Sequence, residues 1–348
     1  MPFALSRVIV VVALGATRHL LAVTAVAREL RSTAGLASWD AAWYREIAAG
    51  WYGAVQPEGL RFFPAFPALA GLLGLAPGVS ATAAVVVAAN LCALALGFAV
   101  YRLADAERHD PELARRAVWL VYLVPPAYVL VMGYAEALFM TAAVVTLYGL
   151  RTQRWWVATA AGLVAGLTRP VGILLAVPAV VEAVRYRRPR ALVPAAAPFA
   201  GLLAYLAWAR SRTGDFWYPL TVQQEDARRG GWTDPLRGVA HAVGDWAGGD
   251  HPTAGLHVLT AVVLVGLLVV LARRWPLSFT LYAAASLCVF LGARNLDSLE
   301  RYALATVPFV LAGADLMRPR EAERVVLVLA AAGLGIASML AFGGALVP

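Results

Sequence analysis

Between Ser38 and Pro67 the chain sets Asp40 between aromatic residues, while Glu46 follows an arginine and Glu58 a proline. Trp39 precedes Asp40, Trp43-Tyr44 and Trp51-Tyr52 follow, and Phe62-Phe63-Pro64 and Phe66-Pro67 close the stretch. Read as a helix, Trp39, Trp43 and Ile47 share one stripe, with Asp40 and Tyr44 on the next. Indole and phenol at this density favour the level where lipid headgroups meet water. Trp39, Trp43, Tyr44, Trp51 and Tyr52 are therefore expected as interface anchors, with sugar or isoprenoid stacking as a further role. An acid held at that level can meet a lipid-carried substrate.

More ionisable residues recur at the ends of apolar runs: Glu136 after Tyr134, Arg169 before Pro170, then Arg294, Asp297, Glu300 and Arg301 before Tyr302. Such residues at membrane depth are costly and default to functional candidates that face a cavity. An acid with several arginines suits reaction at a phosphate-linked carbon. Arginine neutralises the phosphate bidentately, and a carboxylate takes the proton of an attacking hydroxyl.

Each residue also has a plainer reading. Asp40 can cap its helix or pair with Arg45, and Glu136 can be an acid favoured by a helix dipole. Arg169 can satisfy carbonyls freed at a helix break, and Arg301 can snorkel from a helix end. Arg45-Glu46 reads as a solvated pair. His241, His251 and His257, with Asp245 and Asp250, match no strong metal-ligand spacing, so neither a metal nor another cofactor is expected. Gln223-Gln224-Glu225-Asp226 reads as a polar loop, with contact to an acceptor sugar as the sharper alternative.

Composition gives these residues their setting. Of 348 residues 61% are hydrophobic and 14% charged, where a soluble domain has about a quarter charged, and the mean hydropathy is +0.70. This is a polytopic membrane chain. Its formal charge of +8 is carried by arginine alone, since the sequence has no lysine. The arginines lie between apolar runs, which points to membrane topology and not to nucleic acid. Cys92 and Cys288 sit inside apolar runs and make no disulfide framework.

The first apolar run, 5–27, ends in the small-residue pattern Ala25-Val26-Ala27 of a cleavable signal. Arg18-His19 interrupts it and many spans follow, so it is read as a retained helix. The run 65–76 falls short of the ~20 residues a crossing needs and is read as interfacial or re-entrant. Full spans are expected at 79–103, 117–131, 134–150, 191–208, 256–272, 277–292, 302–317 and 325–347. The runs 155–167 and 171–184 are read as half-length helices meeting at Thr168-Arg169-Pro170. With the N-terminus in the cytoplasm, the arginine clusters at 104–116, 151–154, 185–190, 273–274 and 318–324 all fall inside. Asp40, Glu136, Arg169, Arg294, Asp297, Glu300 and Arg301 then gather on the external face. The expected architecture is all-α, a single integral membrane domain over 1–348 with about ten to eleven transmembrane or half-membrane helices. External loops are expected at 28–78, with amphipathic juxtamembrane helices, and at 210–255.

The series Trp39-Asp40-x-x-Trp43-Tyr44-x-x-Ile47-Ala48-x-Gly50-Trp51-Tyr52, followed by Phe62-Phe63-Pro64-x-Phe66-Pro67, resembles the start of the PIG-V type of mannosyltransferases and their bacterial relatives. These are members of the GT-C superfamily, which uses polyprenyl-phosphate sugars. Tyr134-Ala135-Glu136-Ala137-Leu138-Phe139 is similar to the family's Tyr-Ser-Glu-x-Leu-Phe, with alanine in place of serine. Thr168-Arg169-Pro170-x-Gly172 resembles its Arg-x-x-Gly segment, and Arg301-Tyr302 with Pro308 its late Arg-aromatic element.

The resemblance covers about residues 38 to 310. It implies a GT-C fold, a catalytic acid at Asp40, and a lipid-phosphate sugar bound from the external side of a bacterial plasma membrane. The implied reaction is inverting mannosyl transfer to a glycan, glycolipid or protein. Arg169, Arg301 and Arg294 are the candidates for the donor phosphate, and Trp39, Trp43, Tyr44, Tyr134, Glu136 and Tyr302 those for substrate contact. The partners expected are a polyprenyl-phosphate sugar, a glycan or lipid-linked acceptor and membrane lipids. Transfer of arabinose or glucose from a similar carrier, a flippase for a lipid-linked sugar, and a non-catalytic scaffold subunit are the competing classes. The flippase reading lacks paired inverted halves in the sequence, and the scaffold reading leaves Asp40 without a purpose.

Overall fold

A computed structural model describes residues 1–24, 34–225, 230–249 and 253–347. The Ala25-Val26-Ala27 pattern, Asp226, Asp250 and His251 lie outside the described residues. Within them the chain is helical, and the one extended pairing is an isolated bridge between Trp232 and Ala293. Helices with spans at Pro2–Val23, Ala81–Arg108, Pro189–Thr213, Ala254–Arg274 and Arg320–Phe342 are long and apolar enough to cross a membrane. The chain is an integral membrane protein.

The described residues form two compact units. The first holds 1–59, 64–141 and 313–348. Here α1 (Pro2–Thr24) runs unbroken through Arg18-His19 and packs on the last helix of the chain, Arg320–Phe342. The aromatic stretch supplies α2 (Asp40–Gly50), and α3 follows (Ala65–Gly74). At 10 residues, α3 is about 15 Å long, too short to cross. Both lie against α4 (Ala81–Arg108), which starts where the Ser80 hydroxyl accepts from the Ala83 N–H at 3.2 Å. Asp110 caps α5 (Pro111–Leu123) through the N–H groups of Glu112 and Leu113, each at 3.0 Å.

The expected span 117–131 is not one helix. Pro125-Pro126 cannot continue α5 and force Val124 into an extended conformation. The chain goes on as a 3₁₀ segment, Pro125–Leu130, before α6 (Glu136–Arg151) begins.

The second unit holds 60–63 and 142–312. Its α7 (Trp155–Thr168) is half-length as expected, because Pro170 holds Arg169 extended at φ −154, ψ 145. A 3₁₀ turn over Pro170–Leu175 leads to α8 (Ala176–Tyr186), and α9 (Val193–Thr213) packs tightly on α7. Glycines allow that approach: a Cβ at Gly166 would strike the Pro198 carbonyl, and one at Gly201 the Leu163 carbonyl.

The segment 210–255 is not loop throughout. It carries α10 (Pro235–Gly248), capped by Asp234 through the N–H groups of Leu236 and Arg237 at 3.1 and 2.9 Å. Then come α11 (Ala254–Arg274) and α12 (Leu277–Leu291). The expected span 302–317 is also divided, into α13 (Leu299–Ala305) and α14 (Val307–Leu316). The break falls at Thr306, whose backbone leaves the helical region ahead of Pro308.

Candidate active site

The sequence candidates divide between the units. Asp40, Trp39, Trp43, Tyr44, Tyr134 and Glu136 lie in the first, and Arg169, Arg294, Arg301 and Tyr302 in the second.

Asp40 is the first residue of α2, where the helix dipole favours an anionic carboxylate. Trp39 stands just outside the helix at φ 58, ψ −130, a conformation costing about 1–3 kcal/mol for a residue with a side chain. Two contacts hold the strained step. The Trp39 indole N–H donates to the Ala341 carbonyl at 3.0 Å, and the Asp40 backbone N–H donates to the Tyr134 hydroxyl at 3.2 Å. Tyr134 is fully buried, and its neighbour Gly133 donates its N–H to the Leu36 carbonyl at 2.9 Å. Glu136, 1% exposed, begins α6, so it too sits at the favourable end of a dipole.

This arrangement corrects part of the aromatic reading. Counting a stripe from Trp39 assumed that Trp39 is helical. With the helix starting at Asp40, the stripe turned inward is Ala41, Tyr44 and Ile47. Tyr44 is a core residue, its ring edge on Phe66 at 5.0 Å, and Tyr52 is buried as well. Trp51 is exposed and Trp43 half-buried. Arg45 and Glu46 form the expected solvated pair, 3.4 Å apart.

Behind the Asp40 site lies a clamp that sequence reading passed over. Arg7, inside the first candidate span, donates from Nε to Asn90 Oδ1 and from Nη2 to the Leu130 carbonyl, both at 3.0 Å. The Asn90 amide donates to the Val131 carbonyl at 3.0 Å. Together they hold the end of the 3₁₀ segment that leads into Gly133 and Tyr134. The signal was available, since an arginine inside an apolar run calls for a partner.

In the second unit, Arg169 and Arg301 converge on Tyr302. Their guanidinium carbons lie 5.2 and 5.3 Å from the centre of its ring, and Phe290 stacks on the same ring at 5.2 Å. Arg301 is 6% exposed. Two guanidinium groups thus share one aromatic platform and concentrate positive charge there.

Arg294 lines a cavity of about 420 Å³ instead, together with Asp245, His257, Asn295 and Asp297. His257 is committed to carboxylates: Nδ1 meets Glu300 Oε1 at 2.9 Å and Nε2 lies 3.5 Å from Asp297. Thr260 donates to the same Glu300 oxygen at 3.0 Å. Among the described residues, no group of His, Cys, Asp and Glu has an arrangement able to hold a metal ion.

No protein-family model matches the chain, and no curated protein matches its sequence. Among solved structures it is similar to ArnT from Cupriavidus metallidurans in the apo state, with 15% identity and a TM-score of 0.54 over 87% of this chain and 70% of that one. The fold is that of the GT-C glycosyltransferases. Two structures of the Archaeoglobus fulgidus oligosaccharyltransferase, one with Zn and sulfate and one tethered to an acceptor peptide, align less closely. Their TM-scores are 0.45 and 0.44 at 14% and 13% identity, over 87% and 88% of this chain. The alignments cover only 48% and 51% of those longer proteins.

Proposed function

We propose that this chain is an inverting glycosyltransferase that moves mannose from polyprenyl phosphate to a hydroxyl of a glycan, glycolipid or protein, at the external face of a bacterial plasma membrane. The observation that carries the reading is Asp40. A conspicuous carboxylate opens a helix behind a strained tryptophan, and buried groups on other elements fix its backbone. The GT-C fold and the resemblance of residues 38–67 to PIG-V type enzymes support it; mannose rests on that resemblance alone.

In this mechanism Asp40 takes the proton of the acceptor hydroxyl as its oxygen attacks the anomeric carbon. The bond from that carbon to the phosphate oxygen breaks, its electron pair leaves with the phosphate, and the configuration inverts. A phosphate monoester departs without needing a proton, so one base suffices. The resemblance assigns the donor phosphate to Arg169 and Arg301, and guanidinium groups suit the charge that grows on it.

The test is transfer from radiolabelled polyprenyl-phosphate mannose by purified protein in detergent, with Asp40→Asn beside the wild type. The expected loss is at least about 100-fold, the lower end of the range for removing a general base. An Asp40→Asn protein with full transfer refutes the base role. A wild type that moves the lipid across vesicles but forms no product favours a flippase.

A further inference from the structure

The 420 Å³ cavity of the second unit has no part in the chemistry above, yet it is within the size range of small-molecule sites, about 300–1,000 Å³. We infer that it is a saccharide subsite, binding the acceptor glycan through hydroxyl groups. This deepens the glycosyl-transfer reading and rests on it for the word acceptor.

The lining selects the ligand class. Asp245 and Asp297 offer acceptors, Arg294 offers donors, Asn295 offers both, and Leu296 gives an apolar wall. A sugar's neighbouring hydroxyls donate and accept at once, so they match this alternation. A phosphate would satisfy Arg294 but would face two carboxylates, a like-charge arrangement that works against it. An isoprenoid chain would strip water from charged groups and return no hydrogen bond.

The floor is built before any ligand arrives. Asn295 Nδ2 donates to Asp297 Oδ2 at 2.9 Å, and the Asp297 N–H donates to Asn295 Oδ1 at 2.8 Å. His257, 4% exposed, braces Asp297 on one side and Glu300 on the other. The segments that carry Gly230 and Arg294 are joined by backbone: Thr233 N–H donates to the Gly292 carbonyl at 2.9 Å, and the bridge pairs Trp232 with Ala293. Glu300 is the immediate neighbour of Arg301 in α13, so the histidine that braces the cavity also ties it to the helix bearing the phosphate-binding arginine.

The experiment uses the full chain in nanodiscs and a panel of fluorescent neutral oligosaccharides, with methyl phosphate as the competing probe. Asp245 is exposed and Asn295 part-buried, so Asp245→Asn and Asn295→Ala are chosen, each checked for a wild-type thermal transition. The expected result is that at least one oligosaccharide binds, that each variant weakens it roughly 10-fold or more, and that methyl phosphate does not displace it. The inference is overturned if no oligosaccharide binds, if binding is equal in folded variants, or if methyl phosphate occupies the cavity and displaces the sugar. Release of mannose from the lipid donor by the wild type tests the glycosyl-transfer reading separately. A protein that binds sugar through Asp245 but releases no mannose loses that reading and keeps the subsite.

Discussion

Replacing Arg7 with methionine keeps the unbranched stem and removes the guanidinium that joins α1 to Asn90 and the Leu130 carbonyl. Its remaining bonds, to the Phe3 carbonyl and the Ser6 hydroxyl, are local to its own turn, as is its contact with the Phe3 ring. The two long-range acceptors then lack a donor inside the apolar interior. Each orphaned group costs about 1–3 kcal/mol, so the gross loss is about 2–6 kcal/mol. Relief from holding a charge out of water returns part of it. A net destabilisation of about 2–3 kcal/mol is expected, read from denaturant unfolding in detergent.

The functional consequence is the sharper test. Leu130 and Val131 are followed by Gly133, bound to Leu36, and by Tyr134, bound to the Asp40 N–H. Loosening this path displaces Asp40 without altering its chemistry, and a misplacement of about 1 Å can cost on the order of 100-fold. Turnover per folded Arg7→Met molecule should fall about 10- to 100-fold, while donor KM and the midpoints of the pH–rate profile stay put. Arg7→Lys keeps the charge but not the two-armed reach, and should recover part of both losses. A destabilised Arg7→Met protein with wild-type turnover refutes the positioning role. One of wild-type stability refutes the clamp itself.

Other outcomes follow from single contacts. Arg301→Ala should raise the donor KM about 10-fold or more, through loss of a charge-assisted hydrogen bond to phosphate. Arg169→Ala should act similarly, and the double variant should deviate from additivity because both groups share Tyr302. Glu182, 1% exposed, accepts from Arg151 at 2.8 Å and from Ser278 at 2.6 Å. Arg151→Met should cost about 3–5 kcal/mol in detergent unfolding, and adding Glu182→Leu should return most of it. Gly201→Leu places a side chain against the Leu163 carbonyl and should cost about 3 kcal/mol, the top of the usual range for overpacking, seen as loss of a monodisperse peak in size exclusion.

The long spans were legible because their signal is additive: each apolar residue contributes, although α4 runs past the expected 103 to Arg108 and the last helix lies at Arg320–Phe342 against an expected 325–347. Proline gave the half-length α7, and the same rule, applied to Pro125-Pro126 and Pro308, would have divided the two spans read as continuous. Hydropathy averages over such breaks and hides them. The two-unit division was not legible, because contact between distant segments leaves no local trace in one sequence.

The candidate site was read from residue types, and spacing carried nothing of its geometry. Asp40 stands out by lying between Trp39 and Trp43-Tyr44, with no basic residue beside it in the sequence. The device that aims it, a tryptophan at positive φ bonded to Ala341, about 300 residues away in sequence, could not be read from spacing. Three arginines were grouped by chemistry alone, and packing sorted them. Arg169 and Arg301 meet on an aromatic ring, whereas Arg294 shares its cavity with Asp245 and Asp297. A guanidinium beside a phenol ring keeps its full positive charge, whereas one whose cavity also holds carboxylates stands in a more balanced field. Charge type alone therefore groups the three arginines, and the company each charge keeps divides them.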